Sequence, residues 1–137
     1  MAGYSGTPLP SKLGIKEGST VAFAGAPPEF ATALGELPDA VTVKRRVVAP
    51  LDVAVAFFTR RSALERRLAP LARAIHPAGG LWIAWPKRSS AVATDLTEDG
   101  VRELALAGGL VDNKVCAIDE TWSGLRLVYR LADRPSR

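Results

Sequence analysis

Between Leu51 and Lys87 two short apolar runs flank an amphipathic segment, and that arrangement leaves few folds open. The first run, LDVAVAFFT, has seven apolar residues among its first eight. It is too short for a stable helix and shows no polar alternation, which is the pattern of a strand buried on both faces in a parallel sheet. SALERRLAPLARAIHP follows, with Leu64, Leu68, Leu71 and Ile75 at i, i+4, i+7 and i+11, one apolar stripe along a helix. Ser62 suits the N-cap, and His76-Pro77-Ala78-Gly79-Gly80 supplies the stop signals. Pro70 falls inside the helix and is expected to kink or divide it. LWIAWP then reads as a second apolar strand. Strand, helix, strand at this length is a βαβ unit with a right-handed crossover. The chain is therefore expected to be an α/β domain with a mostly parallel sheet.

The totals narrow the function classes. At 137 residues the chain is one domain, large enough to bury a core without a metal or disulfide. Cys116 is the one cysteine and His76 the one histidine, so neither an internal disulfide nor a Cys/His metal site is available. No signal peptide is visible at the N-terminus and no apolar run reaches membrane-spanning length, so the expectation is a cytoplasmic protein with no membrane partner. The net charge of +4 is mild, and where the cations lie matters more than their sum.

Read in order, Met1 to Ser11 is rich in Gly, Pro, Ser and Thr and suggests an extended arm. Lys12 to Gly18 has room for one helical turn, so residues 1–19 are set apart as an arm, with the α/β domain over 20–131. Thr20 to Ala24 is the first strand, ending in Gly25-Ala26-Pro27-Pro28, and a helix follows with Phe30, Ala33, Leu34 and Leu37 inward and Pro38-Asp39 at its end. Val41 to Arg46 alternates as a half-exposed edge strand. Arg46 to Asp52 is too short for a helical crossover. Either an extended segment doubles back beneath the sheet, which is the expectation, or Val41 to Arg46 is not parallel. Lys87 to Leu96 is a polar loop, Thr97-Glu98-Asp99 opens a helix, and Gly108-Gly109 closes it. Lys114 to Ile118 and Gly124 to Leu131 are the last two strands, joined as an antiparallel hairpin, and residues 132–137 form a loose tail.

This order resembles the way a Rossmann-like methyltransferase domain is built and finished. LGIKEGSTVAFAGA at 13–26 resembles that superfamily's entry into its first strand and Gly-rich cofactor loop, and HPAGGLWI at 76–83 resembles its lead into a later central strand. AWPK at 84–87, ATDLTE at 93–98 and KVCAIDETWSGL at 114–125 look like a small bacterial family known as a domain of unknown function. The resemblance implies a three-layer, methyltransferase-like α/β domain of six strands with an antiparallel C-terminal strand, and it brings no established activity. Working methyltransferases place several glycines after the first strand so that backbone can approach S-adenosylmethionine. Here Gly25 stands alone before Ala26, Pro27 and Pro28, and a proline has no N–H to offer. Where those enzymes commonly carry an acid for the ribose hydroxyls, this chain has Lys44-Arg45-Arg46. A helix–strand repeat between their second and fourth strands is missing too. No cofactor is therefore expected, and methyl transfer is disfavoured.

In open α/β sheets ligands bind outside the carboxyl ends of the strands. Those ends carry Gly25, Lys44 to Arg46, Thr59-Arg60-Arg61, Trp85-Pro86-Lys87-Arg88 and Asp119-Glu120, with Trp122 in the hairpin. Gly25, Arg60, Trp85, Lys87, Arg88, Asp119, Glu120 and Trp122 are the candidate ligand-binding residues. Three basic clusters on one edge suit an anionic small molecule or an acidic protein partner; the plain alternative is a solvated loop surface. Trp85 beside Lys87 reads as a stacking platform or as a cover for the core. Asp119 and Glu120 read as an acid/base pair or, more simply, as fixing the hairpin. Cys116 in mid-strand reads as a buried inert thiol. Thr94-Asp95 reads as a ligand-hydroxyl site or as helix entry. Nucleic-acid binding lacks a recognisable motif and interleaved aromatics. The expected function is a non-catalytic or degenerate methyltransferase-like domain acting by binding. The alternative is a divergent S-adenosylmethionine-dependent methyltransferase or another small-molecule enzyme.

Overall fold

Two strands with every residue buried form the centre of the computed structural model, which describes residues 7–134. β3 (Val53–Phe57) and β4 (Gly80–Pro86) pair in parallel, Ala54 opposite Leu81 and Ala56 opposite Ile83. Their alternation sorts the core into two layers. Ala54, Ala56, Leu81, Ile83 and Trp85 face one cluster, while Val53, Val55, Phe57, Trp82 and Ala84 face the other. That double burial is why both strands read as unbroken apolar runs. α3 (Arg61–Ile75) and α4 (Glu98–Ala107) cover the first face; α1 (Leu9–Leu13) and α2 (Phe30–Leu34) cover the second.

The sheet has six strands in the order β2-β1-β3-β4-β6-β5, with β1 Thr20–Ala24, β2 Thr42–Lys44, β5 Leu110–Ala117 and β6 Trp122–Tyr129. β2, β1, β3 and β4 run parallel; β6 is antiparallel to both β4 and β5. β2 is thus a parallel edge strand. The return from it crosses beneath the sheet as expected, with Val47 packed on the α3 side and the Leu51 N–H donating to Ala74 O at 3.1 Å.

Several local expectations need correction. Met1–Gly6 and Pro135–Arg137 lie outside the described residues, so the first six residues of the expected arm and half of the tail are not at issue. Leu9–Leu13, however, is helical rather than extended: Pro10 sits in the first turn, and Leu9, Leu13 and Ile15 are buried. Trp82 Nε1 donates to Leu13 O at 2.9 Å, tying α1 to β4. α2 stops at Gly35 (φ 69°), short of Pro38, because the left-handed glycine turns the chain away. α3 starts before Ser62, since its first N–H, Arg61, is capped at 2.7 Å by the Asp95 carboxylate from a distant loop. It runs unbroken through Pro70, which is exposed, as is Arg66, whose carbonyl loses its partner to water rather than to the core. β5 begins at Leu110, four residues before Lys114, where Gly109 (φ 87°) reverses the chain. The tail opens with a short 3₁₀ turn, Leu131–Asp133.

Candidate functional site

Because β1 to β4 are parallel and β5 runs with them, their carboxyl ends meet at one rim, as the sequence implied. The rim is not one site. Trp85 and Trp122 are both buried, at 6% and 7% exposure, and they belong to opposite layers of the core. The register explains this: Pro86 pairs with Trp122, so Trp85 and Trp122 are one residue out of step and point to opposite faces. They cannot form a single stacking platform.

On the α3–α4 side, Trp85, Lys87 and Arg88 line a groove of about 420 Å³ with the loop that runs from Val92 to Glu98. The loop is pinned to the end of β3. Thr94 Oγ1 donates to Thr59 O at 2.7 Å, Leu96 N–H donates back to Thr94 Oγ1, and Asp95 caps α3. Thr94 and Asp95 therefore serve helix entry and loop closure. Thr97 caps α4 by accepting from Gly100 N–H at 3.0 Å. Glu98 accepts from Arg102 at 2.7 Å, and Arg102 also reaches Asp99 and Asp112; the Glu98 bond, and then the Asp112 bond, hold that guanidinium above its ordinary range. Each carboxylate lining the groove thus has a partner. Lys87 and Arg88 have no carboxylate partner among the described residues. The groove thus sets two cations without a carboxylate partner beside two carboxylates that are already hydrogen-bonded.

On the other face the rim is apolar. Phe23, Phe30, Phe57 and Trp122 form a chain of edge-to-face contacts with centroids 5.2, 4.9 and 5.2 Å apart. Trp122 Nε1 is buried with no hydrogen-bond partner. Gly25 (φ 68°) closes against this chain; a Cβ there would lie 3.2 Å from Phe57 O. Asp119 accepts from the Thr121 and Trp122 N–H groups, both at 2.8 Å, so its carboxylate shapes the hairpin turn. Glu120 and Arg60 are exposed, Arg60 preceding the first turn of α3. The structure therefore gathers Trp85, Lys87 and Arg88, and sets Gly25, Asp119 and Trp122 on the opposite side.

These residues do not fit S-adenosylmethionine in the way the resemblance would require. The single glycine is backed by Phe57 O and followed by prolines, and the end of β2 offers Lys44, whose ammonium donates to Val48 O and Ala49 O. Among the described residues no cluster of His, Cys, Asp and Glu could hold a metal, and no helix is long and apolar enough to cross a membrane. Cys116 is half-buried; burial pushes its thiol up, against the pull of Lys12 and Lys114, so it is not an activated nucleophile. Sequence reasoning offered Thr94-Asp95 as a ligand-hydroxyl site but not the loop through Glu98 as a groove wall, and it missed a second basic concavity on the α1 face.

No family model matches the sequence, and no curated protein matches it. The likeness of residues 84–87, 93–98 and 114–125 to a family of unknown function accordingly stands on those residues alone. Solved structures do share the fold. A SAM-dependent methyltransferase from Aquifex aeolicus is 17% identical with a TM-score of 0.53, over 85% of each chain. The 1,6-didemethyltoxoflavin-N1-methyltransferase of Burkholderia thailandensis, solved with S-adenosylhomocysteine, is 16% identical with a TM-score of 0.56, over 87% of this chain and 73% of that one. A protein of the NADB-Rossmann superfamily from Streptococcus agalactiae is 10% identical with a TM-score of 0.57, over 92% and 69%. At such identities the likeness is one of fold: this chain is a single Rossmann-like α/β domain of methyltransferase type, with a mostly parallel sheet and an antiparallel last strand.

Proposed function

We propose that this methyltransferase-type domain works by binding, taking an anionic small molecule in the groove beside Lys87 and Arg88. The observation that carries the reading is that Lys87 and Arg88 have no carboxylate partner among the described residues, while the groove's Asp95 and Glu98 are hydrogen-bonded to the start of α3 and to Arg102. A half-buried Lys87 beside the apolar edge of Trp85 suits a ligand with a flat, apolar part and a charged end. An acidic protein partner is the same chemistry on a larger scale.

A second reading is a divergent S-adenosylmethionine-dependent methyltransferase, and the comparisons weigh on its side, since the solved structures of like fold include such enzymes, one with the spent cofactor bound. The loop after β1 weighs against it. Calorimetric titration separates the two. Binding of nucleotides or sugar phosphates that weakens roughly tenfold in Lys87→Ala/Arg88→Ala is the expected result, since a hydrogen bond to a charged group is worth about that much. Saturable binding of S-adenosylmethionine or S-adenosylhomocysteine, undisturbed by that double variant, would overturn it in favour of the transferase.

A further inference from the structure

The α1 face of the sheet carries a second concavity, of about 380 Å³, walled by cations. Lys12 and Lys16 reach it from either side of the Gly14 turn, Lys114 from β5 and Arg126 from β6. Ser11 and Asn113 add uncharged hydrogen-bonding groups, and among the described residues no carboxylate lines it. It is separate from the groove at Lys87, which opens on the other face.

Three features of the chain build this convergence. Leu127 pairs with Asp112, but Arg126 pairs with Lys114, so a bulge at Asn113 brings Lys114 directly opposite Arg126. Like charges directly opposite on antiparallel strands repel, so the bulge creates a juxtaposition that an empty surface would avoid. Gly80 is the second feature. A Cβ there would lie 2.5 Å from Arg126 Nε and 2.7 Å from its Nη2, so the missing side chain is what lets the guanidinium lie on the sheet. The third is Asp112, the acid nearest in sequence to Lys114, which pairs with Leu127 on the other face and is bonded to Arg102 at 3.2 Å.

The result is a half-buried guanidinium with no carboxylate partner among the described residues, in a concavity that three lysines also line. Burial, and then the charge of Arg134, lowers the Arg126 pKa, the mark of a cation short of counter-charge. Lys12 is held in place by donating to Ala117 O at 3.2 Å, with further N–H donors to spare.

We propose that this concavity binds a small phosphate-bearing anion, with Arg126 forking two phosphate oxygens and Lys12, Lys16 and Lys114 neutralising the rest. The fork suits a planar guanidinium lying on the sheet at Gly80, and a volume of about 380 Å³ has room for such an anion.

Pyrophosphate titrated into the isotopically labelled full chain tests this by amide NMR. The expected result is a saturable shift at Gly14, Asn113, Lys114 and Arg126. Affinity should fall about tenfold or more in Arg126→Gln. It should also fall in Gly80→Ala, which keeps all four cations but evicts the guanidinium. Thermal melting and the unshifted remainder of each spectrum establish that the variants are folded. Shifts confined to Lys87 and Arg88, or no shift, would overturn the site. Equal binding by wild type and Arg126→Gln would do the same. A single-stranded oligonucleotide that displaces pyrophosphate at equal phosphate concentration would overturn the small-molecule assignment.

Discussion

Trp82 and Trp122 are the same residue in the same core layer, yet their indole nitrogens meet opposite fates. Trp82 Nε1 donates to Leu13 O at 2.9 Å, whereas Trp122 Nε1 is buried without an acceptor. Shortening either to Phe removes a similar volume, but only Trp82→Phe strands a buried carbonyl that had been satisfied. A stranded group of that kind costs about 1–3 kcal/mol. Trp82→Phe is therefore expected to destabilise the protein by that much more than Trp122→Phe, in which an orphan N–H also disappears. Urea denaturation of the two variants measures the difference, and equal costs would show that the Leu13 bond contributes nothing net. The sequence places both rings in or beside strands, and so flags both as buried area. It gives no sign of which nitrogen is satisfied, because Leu13 lies 69 residues from Trp82.

At the scale of elements, the turn from α3 into β4 shows how two neighbouring glycines serve different ends. A Cβ on Gly79 would run into the backbone oxygens of Leu51, Ile75 and Asp52, none of which can move without shifting an element. Gly79→Ala is expected to cost about 2 kcal/mol or more, as overpacking of a closed site does. That appears as a fall of several degrees in Tm. Gly80→Ala meets only the far end of Arg126 and should melt close to wild type; a large loss there would mean that the guanidinium cannot leave its seat. The βαβ unit around this turn was legible because its apolar spacing alone separates strand from helix. α1 was not, since Leu9 and Leu13 stand among Pro, Ser and Gly and acquire helical sense only through burial against β4. The basic strand ends were legible too, but not which face each residue takes, because that depends on the pairing of Pro86 with Trp122. The α1-face cations were invisible as a group: Lys12 and Arg126 sit at opposite ends of the chain, and the bulge that aligns Lys114 leaves no periodic trace.

For the whole molecule, the sheet order sets a gradient of stability. β3 and β4 are packed on both faces and paired on both edges, while β2 is three residues long, paired only to β1, with Thr42 and Val43 exposed. Backbone hydrogen bonds open in proportion to how little apolar packing holds them, so protection should fall from the centre toward β2. Native-state hydrogen exchange is expected to show Val55, Ala56, Ile83 and Ala84 amides exchanging only with global unfolding. Those of Val43 and Lys44 should exchange through local opening, orders of magnitude faster. Protection of β2 equal to that of β3 would mean that the short edge is held by more than its pairing with β1. The gradient bears on function. The groove at Lys87 stands at the end of β4, on the part of the sheet that opens last, whereas the cationic concavity joins β6 to the edge strand β5. Lys44 to Arg46, the remaining basic cluster of the rim, belongs to the part that opens first, where a ligand would have to meet the ordering cost that the central strands have already met. A phosphate-bearing ligand seated on Arg126 would join α1, β5 and β6, and should slow exchange at Leu13 and Lys114 while leaving β2 unchanged. A uniform slowing across the sheet would place the ligand's effect on global stability rather than on that junction.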